Sequence, residues 1–255
     1  MAYDIKAVFF DLGNTLRILH KDADYQKEAK EKFAKLSGTD LTPDEFIEMI
    51  NYRYQGYRKW CFNTEKEATE EDLFSKWLLP EYPRDEVLKN AKEMAYLYRQ
   101  TEGKRLVVPS APAVIDELKN RGYSLGIISN LVTSIEVPEW LSSSGLGSYF
   151  DPVILSCVCG LRKPGIEIFK LAEKLSGIPL SQVAFVGDNI DRDIPGSRQA
   201  GCGLNILYIT PEKLSKHPMT DENRPDAVIH RLVELLELLP KVGQVNEEFM
   251  ITENK

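Results

Sequence analysis

The sequence predicts an α/β protein, a doubly wound, Rossmann-like parallel sheet interrupted near its start by an α-helical insert. Two observations carry the sheet. Short apolar runs rich in Val, Ile and Phe recur along the chain, and amphipathic helical patterns separate them, which is the alternation of a parallel sheet with crossover helices. A third observation carries the insert. The alternation covers residues 1–16 and about 106–242, whereas residues 17–105 hold few β-branched runs, many Glu, Lys and Ala, and helical spacings such as Phe33/Leu36 and Phe46/Met49/Ile50. The expected organisation is therefore a core of 1–16 plus 106–242, a helical module over 17–105, and a polar, flexible tail over 243–255.

The elements follow in order. Lys6 to Phe10 is an apolar run stopped by Asp11, and it reads as the first strand. After the insert, Ala113–Arg121 has a helical period closed by Gly122, and Tyr123–Ser129 reads as the second strand. A short helix near Val137–Ser143 precedes a strand at Pro152–Ser156, and Lys163-Pro164 punctuates the start of a helix over Gly165–Ser176. Val183–Gly187, Leu204–Ile209 and Ala227–Ile229 are the remaining strands, with helices at Asp191–Ala200 and Leu232–Leu239.

Composition bounds the function. The 255 residues are 43% hydrophobic and 28% charged, which excludes disorder and fibrous architectures. The net charge of −7 gives no general attraction to nucleic acid or to an anionic membrane, so neither is an expected partner and any anionic ligand must meet a local site. The longest uncharged stretch, the 14 residues Gly122–Ile135, is too short to span a bilayer, and the N-terminus lacks the apolar region of a secretory signal, so the expected location is cytoplasmic. Cys61, Cys157, Cys159 and Cys202 form no C-x-x-C pair and have no histidine beside them, which points to buried thiols instead of a zinc site or disulfides.

In an open parallel sheet, ligands bind beyond the carboxyl ends of the strands. The polar residues expected there are Asp11 after the first strand, Ser129-Asn130 after the second, Lys163 near the third, and Asp188 with Asp193 after the fourth. Singly, each has an ordinary explanation as a turn former, a helix cap or a solvated charge. Together their chemistry is complementary: the carboxylates offer hard oxygens for Mg²⁺, while a hydroxyl, an amide and an ammonium suit phosphate oxygens. A carboxylate in line with phosphorus can also act as a nucleophile.

Four segments in this order resemble the motifs of the haloacid dehalogenase-like hydrolase superfamily. They are Phe9-Phe-Asp-Leu-Gly-Asn-Thr-Leu16, Ile127-Ile-Ser-Asn130, Gly160-Leu-Arg-Lys-Pro164 and Phe185-Val-Gly-Asp-Asn-Ile-Asp-Arg-Asp193, and Gly196-Ser-Arg-Gln-Ala-Gly201 resembles the segment that follows the last of them. The insert after the first motif resembles the helical cap of the first cap class. The resemblance implies Asp11 as nucleophile, Ser129, Asn130 and Lys163 as phosphate-binding residues, and Lys163 as a catalytic cation. It implies Asp11, Asp188, Asp193 and the backbone carbonyl of Gly13 as ligands of a Mg²⁺ cofactor, with Thr15 in support. The implied partner is a small phosphorylated molecule.

One departure qualifies this. Most phosphatases of the superfamily carry a second aspartate two positions after the nucleophile as general acid and base, and here that position is Gly13, followed by Asn14. A positioned acid–base group contributes about 10² to 10⁴-fold. The expected function is a Mg²⁺-dependent phosphatase, with rate reduced by that loss. The alternatives are a phosphate- and metal-binding regulatory protein and, further off, dehalogenation or phosphonate cleavage. His20 is a candidate substitute acid. The insert holds 13 of the 24 aromatic residues, densest over Tyr52–Phe62. They are read either as the core of a small bundle or, for Tyr54, Tyr57, Arg58, Lys59 and Trp60, as substrate contacts.

Overall fold

The structure is a computed structural model and describes residues 4–243; all but the first residue of the tail expected over 243–255 falls outside that range. Its strands are β1 (Ala7–Phe10), β2 (Arg17–His20), β3 (Lys104–Val107), β4 (Ser124–Ser129), β5 (Phe150–Leu155), β6 (Val183–Gly187), β7 (Leu204–Tyr208) and β8 (Ala227–Ile229). Six of them form a parallel sheet in the order β5-β4-β1-β6-β7-β8. The chain leaves β1 for β4 and β5 on one side and returns through β6 to the other, so β1 is where the winding reverses. The crevice of a doubly wound sheet opens at such a point, beyond the carboxyl ends of the strands.

β1 is central and fully buried, which explains its unbroken apolar run. Val8 and Phe10 face one side of the sheet, packed with Val114, Ile115 and Leu118 of the helix Ala111–Asn120. Ala7 and Phe9 face the other, with Ile168, Phe169 and Ala172 of the helix Ile166–Ser176. All six strands and the principal core helices lie where periodicity puts them, to within two residues at most bounds. The end of the chain differs in detail: Leu232–Glu234 is a 3₁₀ turn running into Leu235–Leu238. None of the helices among the described residues is long and apolar enough to cross a membrane.

The helices Ala23–Ser37, Pro43–Thr64 and Arg84–Gln100 pack round a second apolar cluster, which also takes in Val132 from the loop after β4. The first two are capped by their own sequence. Asp22 accepts the Tyr25 N–H, and Thr42 and Glu45 form a reciprocal capping box ahead of Pro43. Phe33 meets Phe46 edge-on at 4.9 Å, with Phe74 and Tyr98 alongside. One feature departs from the helical reading of residues 17–105: the two ends of that stretch pair as the antiparallel ribbon β2–β3, with Arg17 opposite Val107 and His20 opposite Lys104. Two four-residue strands more than eighty positions apart carry no local period that reveals their pairing.

Where this ribbon meets the sheet domain, three guanidinium groups surround one carboxylate. Glu136 Oε2 lies 3.2 Å from Arg17 Nη2 and 3.4 Å from Arg99 Nε, and its Oε1 lies 3.6 Å from Arg105 Nε. Arg17 is 1% exposed and also lies over the Trp140 ring. Burial alone would raise the Glu136 pKa, but Arg99, Arg17 and Arg105 outweigh it and hold the carboxyl below its usual range. Glu136→Gln strands those charges, so a loss of about 3 to 5 kcal/mol is expected in urea unfolding at neutral pH. A depressed folded-state pKa contributes stability above the unfolded value, which is lost as pH falls through the folded one. The gap between wild type and variant should therefore close below about pH 4.

Candidate active site

The loop after β1 is built by its own backbone. The Leu12 carbonyl accepts the N–H groups of Thr15, Leu16 and Arg17, and Asn14 takes a left-handed conformation at φ 54° with its N–H on the Arg17 carbonyl. Asn tolerates that region better than most residues, so the turn forms although the glycine stands one position earlier. The Asp11 N–H donates to the Val186 carbonyl of β6 at 2.9 Å, which aims the carboxylate out of the strand end.

Lys163 reaches this carboxylate from across the crevice. Its Nζ lies 2.7 Å from Asp11 Oδ1 and 2.8 Å from Asp193 Oδ1, with its side chain fully buried. The lysine backbone is clamped by Asn130, which accepts the Lys163 N–H at 3.0 Å and donates Nδ2–H to the Lys163 carbonyl at 2.9 Å. Asn130 thus commits its amide to holding the lysine. Ser129, 2% exposed, ends β4 beside it.

The acidic residues come from the end of β6 and the helix after it. Asp193 opens the helix Asp193–Ala200, accepts the Asn189 N–H at 3.0 Å and lies 3.5 Å from Arg192 Nε. Gly187 leaves it room, since a Cβ there would sit 2.6 Å from the Asp193 carboxyl carbon. Burial would raise the Asp193 pKa, but Lys163 and Arg192 hold it below the usual range. Asp188 is different: burial, then Asp11 and Asp193, push its pKa up to about 6, against a single hydrogen bond from Asn14 Nδ2 at 3.0 Å.

Carboxylate oxygens of Asp11, Asp188 and Asp193 lie within 4.8 Å of one another. Three carboxylates against Lys163 and Arg192 leave one net negative charge, and the strained Asp188 is the group a divalent cation would relieve. The donor set is hard oxygen, which suits Mg²⁺.

The remaining predicted residues divide. Thr15 is buried, with Oγ1 3.5 Å from the Gly13 carbonyl. At Gly13 a Cβ would meet only Asp11 Oδ2, at 3.9 Å, so the position beside the carboxylate is open. His20 lies at the far end of β2, exposed, opposite Lys104, and the strand carries it away from Asp11 by roughly 3.3 Å per residue. Tyr57 is fully buried and gives its hydroxyl to Glu67, and Trp60 stacks on it at 5.8 Å and meets Trp77 at 5.6 Å. Packing accounts for these two rings, and burial closes Tyr57 to a substrate. Arg58 and Lys59 are exposed. Motif reading overlooked Asn14 and Arg192 as partners of Asp188 and Asp193, although both lie inside the motifs.

Residues 5–201 match the haloacid dehalogenase-like hydrolase family. The chain belongs to that family. It is 25% identical over 235 residues to a glyceraldehyde 3-phosphate phosphatase of Methanothermobacter thermautotrophicus, covering 92% of this chain and all of that protein. It is 29% identical over 243 residues to a ribulose-1,5-bisphosphate 5-phosphatase of Halopiger xanaduensis, covering 91% and 98%. In fold it is similar to a 2-haloacid dehalogenase from Pseudomonas syringae pv. Tomato, with a TM-score of 0.66 at 23% identity over 92% of this chain and 97% of that one. The chain is accordingly a hydrolase on a Rossmann-like sheet.

Saturating Mg²⁺ is expected to raise the thermal midpoint of the wild type by several degrees, since about 100-fold excess over Kd adds about 2.7 kcal/mol, and to leave Asp188→Asn unmoved. Because protons compete for Asp188, the shift should shrink as pH falls below about 6.

Proposed function

We propose that this hydrolase is a Mg²⁺-dependent phosphatase of small phosphate monoesters, acting through a phosphoryl group held on Asp11. The observation that carries the reading is the placement of Asp11 between a buried ammonium and two further carboxylates at the switch point of the sheet. The phosphatase names of its relatives along nearly their whole lengths support the same chemistry. The helical module, read as a cap, would restrict entry to small substrates.

In this reading Lys163 and the Ser129 hydroxyl bind the phosphoryl oxygens, and Asn130 fixes the direction from which the ammonium approaches. Asp11 attacks phosphorus; the P–O bond to the leaving group breaks, and its electron pair leaves with that oxygen. Water then attacks the phosphoryl group on Asp11, regenerating the carboxylate and releasing phosphate. Asp11, Asp188, Asp193 and the Gly13 carbonyl would hold Mg²⁺, which when bound supplies Lewis-acid neutralisation of the phosphoryl charge. Lys163 neutralises the charge that develops on the transferring oxygens. With glycine at position 13, no side chain there protonates the leaving oxygen, so protonation falls to solvent or to the substrate. Steep dependence of rate on leaving-group pKa follows.

Asp11→Asn should abolish phosphate release, measured on esters graded by leaving-group pKa with and without Mg²⁺. Gly13→Asp, whose Cβ would meet only Asp11 Oδ2 at 3.9 Å, should gain up to about 10²-fold on poor leaving groups and little on p-nitrophenyl phosphate. Phosphate and Mg²⁺ binding without turnover of any ester would replace this reading with that of a binding protein.

A further inference from the structure

The loop that carries Lys163 is held from the helical module as well as from the sheet. Glu67 follows the helix Pro43–Thr64, and its carboxylate is fully buried. Its Oε1 accepts the Tyr57 hydroxyl and lies 3.7 Å from Cys61 Sγ; its Oε2 accepts Ser156 Oγ at 2.7 Å and Arg162 Nη1. Tyr57 and Cys61 belong to the module, whereas Ser156 and Arg162 belong to the sheet domain, and Arg162 immediately precedes Lys163.

Backbone contacts reinforce the carboxylate. The Glu67 N–H donates to the Gly160 carbonyl at 3.0 Å and the Arg162 N–H to the Glu65 carbonyl at 3.1 Å, placing Lys66 antiparallel to Leu161. Approach is close enough that a Cβ on Gly165 would lie 2.8 Å from Glu65 Oε2. Ser156 Oγ also accepts the Leu131 N–H at 2.7 Å, so the same carboxylate reaches the loop after Ser129. Glu70, three residues on, makes a second such contact, accepting the Ser134 N–H at 2.7 Å and its hydroxyl at 3.0 Å.

Burying a carboxylate costs several kcal/mol unless its oxygens are satisfied, and here donors from both units satisfy them. A packed apolar contact would join the two units without that cost. What the carboxylate adds is direction, because a guanidinium one residue before the lysine is held at a defined oxygen. We propose that Glu67 is a positioning residue, which makes seating of the helical module set the register of the loop that presents Lys163. The proposal rests on reading Lys163 as the cation that meets the phosphoryl group.

The test compares the wild-type chain with Glu67→Gln, Arg162→Gln and the double variant. It measures kcat and KM for p-nitrophenyl phosphate with Mg²⁺, the thermal midpoint, and hydrogen exchange of peptides over residues 156–165. Displacement of the lysine should lower kcat about 10- to 100-fold, change KM by less than about 3-fold, and speed exchange at Gly160 and Arg162. Because Glu67 reaches the lysine's loop through Arg162, the effects of the two substitutions on kcat should be less than additive in the double variant. A kcat within about 2-fold of wild type, at a temperature where the variant is folded, would overturn the proposal and leave Glu67 a purely structural contact. If Glu67→Gln does not fold, Arg162→Gln decides the matter by the same kcat criterion. If wild type hydrolyses no ester, the phosphatase reading fails by itself; faster exchange over 156–165 in Glu67→Gln would still support the positioning role, and unchanged exchange would overturn it.

Discussion

The buried ammonium of Lys163, 2.7 Å from Asp11 and 2.8 Å from Asp193, is the contact on which the arrangement of this crevice depends. A lysine with no solvent exposure is tolerable only when paired, and an unpaired charge in such a place costs about 3 to 5 kcal/mol. The pairing works in both directions. Without the ammonium, Asp11, Asp188 and Asp193 would repel one another within 4.8 Å. With it, Asp193 is held below the usual carboxylate range, while Asp188 is raised to about 6.

The surrounding structure keeps that ammonium in place. Asn130, at the end of β4, holds the lysine backbone through both halves of its amide. Gly187 lets Asp193 lie against the end of β6. On the other side, Glu67 and Glu65 from the helical module engage the loop just before the lysine. The Glu136 cluster ties the β2–β3 ribbon to the start of the helix Glu136–Ser144, so charged contacts join the module to the sheet domain there as well as at Glu67. Such contacts are directional, which suits a boundary whose geometry sets the approach of a buried lysine.

Much of this was legible in the chain. The runs at β1, β4 and β6 are buried on both faces and therefore read as largely apolar segments, and each leads into the polar residue it presents. Tyr57 and Trp60 show where legibility stops. An aromatic-rich helix serves equally as bundle core or pocket wall, and only the direction of each ring decides; here Tyr57 turns inward to Glu67. The β2–β3 ribbon was hidden for a related reason, since pairing across the whole module leaves no local period.

The sequence by itself determined the fold class and which residues gather at the carboxyl end of the sheet, because periodicity and strand ends are local properties of the chain. Only the tertiary structure decided how those residues share charge. Local order does not reveal that Lys163 bridges Asp11 and Asp193, that Asn130 serves the lysine backbone, or that Glu67, 96 positions before Lys163, helps hold the lysine's loop. Those contacts arise when segments distant in sequence exclude water together, and the energy of a charge pair depends on that exclusion.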